Sequence, residues 1–98
     1  MKEYRIKRGL SHDIERIKEI LVREFQVEVT EEGGTLSLSY GALKELKVWI
    51  EGGKLFVETQ ANLDATDEMI LDTNRRFRRF LDDATGYSTK ERRKMMME

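Results

Sequence analysis

Hydrophobic residues recur every three to four positions in two segments of the chain, and at every second position in the stretch between them. This change of period predicts an amphipathic helix, then a series of strands, then a second helix. A short strand around Tyr4 and Ile6 precedes the first helix, for which Ser11 is the predicted N-cap. The predicted inner face of that helix carries Ile14, Ile17, Ile20, Leu21 and Phe25.

Two glycine pairs, at 33–34 and 52–53, lie between segments of alternating polarity and predict tight hairpins. A turn at the second pair sets Val48 opposite Val57, and the first hairpin follows the same rule. One parity then directs the hydrophobic residues of all four strands to a single buried face. That predicted set is Val27, Val29, Leu36, Leu38, Tyr40, Leu46, Val48, Ile50, Leu55 and Val57.

The last helix is predicted to begin after a cap at Asp64 or Thr66 and to end at Gly86. Residues 87–98 have no apolar stripe, so we expect a charged C-terminal tail that is flexible. The sequence thus predicts a single α+β domain over residues 1–86, followed by that tail. The predicted inner face of the last helix carries Ile70, Phe77, Phe80, Leu81 and Ala84.

The element order β-α-β-β-β-β-α predicts a two-layer sandwich with both helices on one face of a five-stranded, mainly antiparallel sheet. It matches the TATA-box-binding-protein-like, or helix-grip, topology, in which strand 1 lies beside strand 5 and the sheet order is 1-5-4-3-2. The segments EYRIKRGL and FLDDATGYSTKERRK resemble a small family of uncharacterised archaeal conserved proteins over most of the chain. This resemblance implies the same sandwich and brings no activity or site residue with it.

The composition argues against several classes of function. Without cysteine, and with His12 as the only histidine, a thiol nucleophile or a Cys- or His-rich metal site is not expected, and neither is a cofactor. No pair of carboxylates is placed for acid–base catalysis, so we expect a protein that is not an enzyme. Charges interrupt every apolar run, so we also expect a cytoplasmic protein with no membrane partner.

The net charge of −1 conceals a basic C-terminal region, because residues 75–98 carry eight basic and four acidic side chains. Basic residues interleaved with aromatic ones can bind nucleic acid. Helical spacing instead assigns Phe77 and Phe80 to the core and leaves the arginines around the exposed arc. A nucleic-acid-binding accessory protein that uses this helix and the tail is therefore the alternative hypothesis. The arginines concerned are Arg75, Arg76, Arg78 and Arg79.

The open face of the predicted sheet carries two large aromatic residues. The second hairpin sets Trp49 opposite Phe56 and Lys47 opposite Glu58, all directed away from the helices. Such a pair either strengthens the hairpin or forms a surface for a partner. The predicted face is neutral to acidic, which disfavours phosphates. We therefore expect a non-catalytic interaction module that binds a protein partner or itself as a homodimer, with a small-molecule site between sheet and helices as a further hypothesis.

Overall fold

The computed structural model describes residues 2–96 and contains the predicted strands and helices together with a third helix. The strands are β1 (Lys2–Arg5), β2 (Thr30–Glu32), β3 (Thr35–Tyr40), β4 (Leu43–Glu51) and β5 (Lys54–Ala61). The helices are α1 (Ile14–Phe25), α2 (Asp67–Thr85) and α3 (Thr89–Met96). The fold is α+β, and among the described residues no helix is long and apolar enough to cross a bilayer.

All neighbouring strands of the five-stranded sheet are antiparallel, in the order β1-β5-β4-β3-β2, which confirms the predicted order. The register of the second hairpin is also confirmed, because Val48 pairs with Val57. The prediction that the second strand starts at Val27 is wrong, since β2 starts at Thr30. Gln26 ends α1 in the left-handed conformation, with φ of 55°, and the next residues carry the chain to the sheet edge before pairing begins.

The core lies between the sheet and helices α1 and α2. Its residues on the sheet follow the predicted parity, although Val27, Tyr40 and Ile50 are only half-buried. The buried hydrophobic residues are Tyr4, Ile17, Ile20, Leu21, Phe25, Val29, Leu36, Leu38, Leu46, Val48, Leu55, Val57, Phe80, Leu81 and Ala84. Two layers therefore close over one continuous core, and the other face of the sheet is left open.

Ile70 does not belong to the inner face of α2, because 39% of it is exposed. Thr73 takes the inner position in this part of the helix and is only 2% exposed. Its hydroxyl donates to the carbonyl of Met69 at 2.7 Å and accepts from the backbone N–H of Ala42 at 3.0 Å. The turn between β3 and β4 presents a polar backbone group here, so a hydroxyl fits where an isoleucine would leave that N–H unsatisfied.

The helix caps agree in part with the predictions. Thr66 caps α2, because its hydroxyl accepts from the backbone N–H of Met69 at 3.2 Å, and Gly86 ends α2 with φ of 80°. Asp13 rather than Ser11 caps α1. The Ser11 hydroxyl instead accepts from the backbone N–H of Asp13, the N-cap residue itself, at 3.0 Å. Both residue types suit an N-cap, so the sequence alone did not separate them.

The flexible tail predicted over residues 87–98 contains a helix, because residues 89–96 form α3. Ser88 and Glu91 make reciprocal side-chain to backbone hydrogen bonds at 3.1 and 3.2 Å that start the helix. Arg92 then anchors α3 to α2, because only 5% of it is exposed and it donates to the carboxylate of Asp82 at 2.6 Å. Residues 97–98 of the predicted tail lie outside the described part of the chain.

Candidate functional site

Trp49 on β4 and Phe56 on β5 lie directly opposite each other on the open face, as the sequence predicted. Their rings are stacked, with centroids 5.7 Å apart and 7° between the planes. Each ring covers part of the other, so both residues are half-buried rather than fully exposed. We refer to these two residues as the aromatic pair. The pair concentrates apolar area near the middle of a sheet face that no described helix covers.

Four charged residues surround the aromatic pair on the same two strands. Lys47 pairs with Glu58 two positions to one side, and Glu51 pairs with Lys54 two positions to the other side. Because strand side chains alternate between faces, all four lie on the open face with the aromatic pair. The sign of the charge changes both across the strands and along each strand. We refer to these four residues as the charge quartet.

The lysines of the charge quartet have acidic neighbours on the same face. The Lys47 ammonium lies 3.2 Å from the Glu45 carboxylate, and the Lys54 ammonium lies 2.6 Å from the Glu3 carboxylate. Glu3 was missing from the sequence prediction, although its position next to the inward Tyr4 in an alternating strand was the available signal. Carboxylates outnumber cations on this face, as predicted. At the regularly paired positions of the strands, the open-face acidic residues are Glu3, Glu32, Glu45, Glu51 and Glu58, against Arg5, Lys47 and Lys54.

The four arginines of the alternative hypothesis do not form one surface. Arg76 donates to the carbonyl oxygen of Glu24 at 2.6 Å and to the carboxylate of Asp72 at 3.2 Å, and its guanidinium lies 5.1 Å from the ring centroid of Tyr40. Arg76 therefore joins α2 to α1 and β3. The donors that make these contacts hold the fold together and are not free to bind a phosphate. Three arginines of the set are exposed on α2: Arg75, Arg78 and Arg79.

The aromatic residues beside these arginines pack inward, as predicted. Phe80 is fully buried, and Phe77 is half-buried and stacks on it with centroids 6.4 Å apart. Arg79 forms no ion pair with the nearby carboxylates of Asp82 and Asp83 in the described structure. Asp82 is bonded to Arg92 instead, and the Asp83 carboxylate lies 2.6 Å from Arg23. The outer surface of α2 therefore offers charge without an aromatic platform for base stacking.

The titratable side chains outside these two surfaces do not form a catalytic or metal-binding cluster within the described residues. The hydroxyl of Tyr40 donates to the Asp72 carboxylate at 2.5 Å. This hydrogen bond raises the pKa of Tyr40 and lowers the pKa of Asp72, and Arg76 further stabilises the charged carboxylate. His12 is exposed before α1. Within the described residues, no three side chains among His, Asp and Glu are grouped so as to hold a metal ion.

Comparisons with known proteins identify a family that the chain matches along its sequence. Residues 1–98 match the family described as "Domain of unknown function (DUF5611)". A similar solved structure is the NMR solution structure of hypothetical protein TA0095 from Thermoplasma acidophilum, which is 32% identical and superposes with a TM-score of 0.72. The alignment covers 98% of this chain and 97% of that one. No curated protein matches the chain at a significant level.

Proposed function

Since the chain belongs to the family described as a domain of unknown function (DUF5611), we propose its function from the surface itself: a non-catalytic interaction module that pairs with a second copy through the open sheet face. The observation that carries this proposal is the aromatic pair at the centre of the charge quartet. Aromatic residues at the centre of a face with a polar rim are typical of protein interfaces. The alternating signs of the rim favour self-association over a strongly charged partner.

The charge quartet is complementary to itself when two sheets pack face to face. A two-fold axis that runs along the strands, between β4 and β5, sets Lys47 of one copy against Glu58 of the other. An axis that runs across the strands, through the aromatic pair, sets Lys47 against Glu51. Lys54 meets an opposite charge in the same way under either axis. Both arrangements therefore bring the aromatic pairs of the two copies together inside a ring of ion pairs.

The open face is large enough for a stable contact. The molecule measures 37 × 31 × 22 Å, and a two-layer sandwich is thinnest across its layers, so the sheet extends along the two longer dimensions. A specific interface covers about 800 Å² of each partner, and sheets that pack face to face align within about 30°. The existing contacts of Lys47 and Lys54 with Glu45 and Glu3 are exposed, so exchanging them for contacts across an interface costs little.

The TATA-box-binding-protein-like topology belongs to the same proposal. It is supported by the sheet order β1-β5-β4-β3-β2 and by two helices on one face. A protein that binds DNA through such an open sheet needs positive charge there, because phosphate contacts supply most of the affinity. The excess of glutamates on this face argues against that use. The cytoplasm is the proposed location, since the chain has no cysteine for disulfide bonds.

The test replaces the aromatic pair with serine in the Trp49→Ser/Phe56→Ser variant. We expect wild-type protein to sediment as a dimer at high micromolar concentration, and the variant to sediment as a monomer with a nearly unchanged circular dichroism spectrum. A matched control, Val22→Ser/Leu71→Ser, removes two hydrophobic residues exposed on the helices and should leave the mass unchanged. A wild type that stays monomeric at millimolar concentration, with the emission of a solvent-exposed Trp49, would contradict the homodimer.

The Lys47→Glu/Glu58→Lys variant distinguishes the two possible axes without changing the net charge. With the axis along the strands, each introduced glutamate still faces a lysine of the other copy, so the dimer persists. With the axis across the strands, the glutamate introduced at position 47 faces Glu51 and the lysine introduced at position 58 faces Lys54, so the dimer weakens. Adding Glu51→Lys and Lys54→Glu restores complementarity in both cases. Failure of that quadruple variant to dimerise would contradict complementarity within the charge quartet as the basis of the contact.

Nucleic-acid binding through the helices is the second candidate, and the exposure of Arg75, Arg78 and Arg79 on one side of α2 favours it. These positions are three and four residues apart, so their side chains follow one stripe that a phosphate backbone can contact. Duplex binding that falls steeply with salt, and that is lost when all three become glutamine, would favour this candidate. It ranks second because the neighbouring aromatic residues of α2, Phe77 and Phe80, pack toward the core rather than along this stripe.

A further inference from the structure

A cleft of about 400 Å³ opens on the helical side of the molecule, between β1, α2 and α3. All three elements contribute lining residues, so no single element forms the cleft. Its volume lies within the range of about 300–1,000 Å³ that is usual for small-molecule sites. The cleft lies on the core side of the sheet, away from the open face. The lining residues are Lys2, Tyr4, Phe77, Arg78, Leu81, Thr89, Arg92 and Arg93.

The charge of this cleft is one-sided. Four of the lining residues are basic and none is acidic, in a chain with nearly equal numbers of each sign. Arg92 at the base is held by Asp82, but Lys2, Arg78 and Arg93 are exposed around the rim. None of these three forms an ion pair within residues 2–96. The Arg78 Nε donates to the backbone carbonyl of Asn74 at 3.4 Å. The other N–H donors of the three groups are available to an anion, and guanidinium groups suit carboxylates and phosphates in particular.

The floor of the cleft is hydrophobic. Tyr4 and Leu81 are core residues with only one edge at the surface, and the half-buried ring of Phe77 lies beside them. Burial raises the pKa of the Tyr4 phenol, and the positive charge of Arg92 opposes that rise. A ligand here would place an apolar body on Tyr4, Phe77 and Leu81 and an anionic head among the cations of the rim.

We infer that this cleft binds an amphipathic organic anion, in which a carboxylate or phosphate head is attached to an aliphatic chain or an aromatic ring. A free inorganic anion would leave the hydrophobic floor unused, and an apolar molecule without charge would leave the cations unused. The site is separate from the sheet face proposed for self-association, so each can exist without the other.

Titration of the full chain with dodecanoate and with dodecyl phosphate, below their micelle concentrations, tests the inference by calorimetry and by amide chemical shifts. Both probes should bind and shift the amide signals of Tyr4, Leu81 and Arg92. Dodecyltrimethylammonium has the same chain with the opposite charge, and inorganic phosphate has the charge without the chain. If either control bound as tightly as dodecanoate or dodecyl phosphate, the inference would be overturned, because the anionic head or the apolar chain would then contribute nothing to binding.

Two double variants locate the site. Arg78→Glu/Arg93→Glu reverses two charges on the rim, whereas Arg75→Glu/Lys94→Glu reverses two exposed charges on the same helices outside the cleft. We expect the first variant to weaken dodecanoate binding at least about tenfold, as loss of two charge-assisted contacts requires, and the second to change it less than about twofold. An equal loss in both variants would show that the net charge of the protein, and not the cleft, attracts the probe.

Discussion

Replacing Arg92 with alanine should lower the free energy of unfolding by about 2–3 kcal/mol and release α3 from α2. Arg92 is 5% exposed, and its guanidinium makes hydrogen bonds to three partners. It donates to the Asp82 carboxylate at 2.6 Å, to the Thr89 hydroxyl at 3.1 Å and to the backbone carbonyl of Tyr87. All three bonds have the charged guanidinium as donor, and hydrogen bonds to charged groups contribute about 1.5–3 kcal/mol each in a protected site.

The expected loss of unfolding free energy is smaller than the sum of these contributions, because 43% of the Asp82 side chain is exposed and water can replace its lost partner. The Arg93→Ala variant is the matched control, since it removes the same charge from the next position of α3, where the side chain is exposed. It should change stability by less than about 0.5 kcal/mol.

Urea denaturation gives the global stability of both variants, and amide hydrogen exchange gives the local stability of α3. In Arg92→Ala, the amides at the end of α3 should lose protection before those of the core strands do. Equal stability of the two variants, together with equal protection of α3, would refute the anchoring role of Arg92. The helix would then be held by contacts that do not involve this guanidinium.

Two further variants test contacts of α2. Gly86→Ala should lower the free energy of unfolding, measured with denaturant, by about 2–4 kcal/mol, because φ is +80° and a Cβ atom would lie 2.6 Å from Leu10 Cδ1. Gly33→Ala, where a Cβ atom would meet open space, should lower it by about 1 kcal/mol. Tyr40→Phe should be less stable than wild type at neutral pH, and this difference in stability should narrow in acid. The hydrogen bond from Tyr40 lowers the folded-state pKa of Asp72. The stabilisation from this bond is therefore present above the unfolded pKa of about 4, and it is lost as the pH falls through the lower folded-state pKa. A constant difference from neutral pH to about pH 2 would contradict this.

The hairpin registers could be predicted from the sequence because two local signals agree. Glycine pairs mark the turns, and a slip of one residue would move every hydrophobic side chain of a strand to the wrong face. The position of the aromatic pair followed directly from that register. Its half-burial did not, because the stacking of two rings across a hairpin depends on side-chain rotamers that polarity does not encode.

The features that the sequence analysis missed depend on contacts between distant segments. Arg76 reads as a surface residue on α2 until Glu24 and Tyr40 are brought beside it by the packing of α1 and β3. Helix α3 has no apolar stripe, so hydrophobic periodicity could not detect it, and its buried anchor is a charged residue. The cleft combines residues from β1, α2 and α3, and no local pattern predicts such a meeting.

The place of β1 in the sheet has a consequence for synthesis of the chain. Its partner β5 begins at Lys54, so β1 leaves the ribosome long before it can pair, whereas β2 to β5 each find a neighbour in the next hairpin. During that interval Tyr4 has no core to enter and the backbone groups of β1 are open to other chains. The strand is only four residues long, and Lys2 and Arg5 place a positive charge at each of its ends. Short length and charged ends of this kind are features that limit the pairing of an exposed strand with other chains.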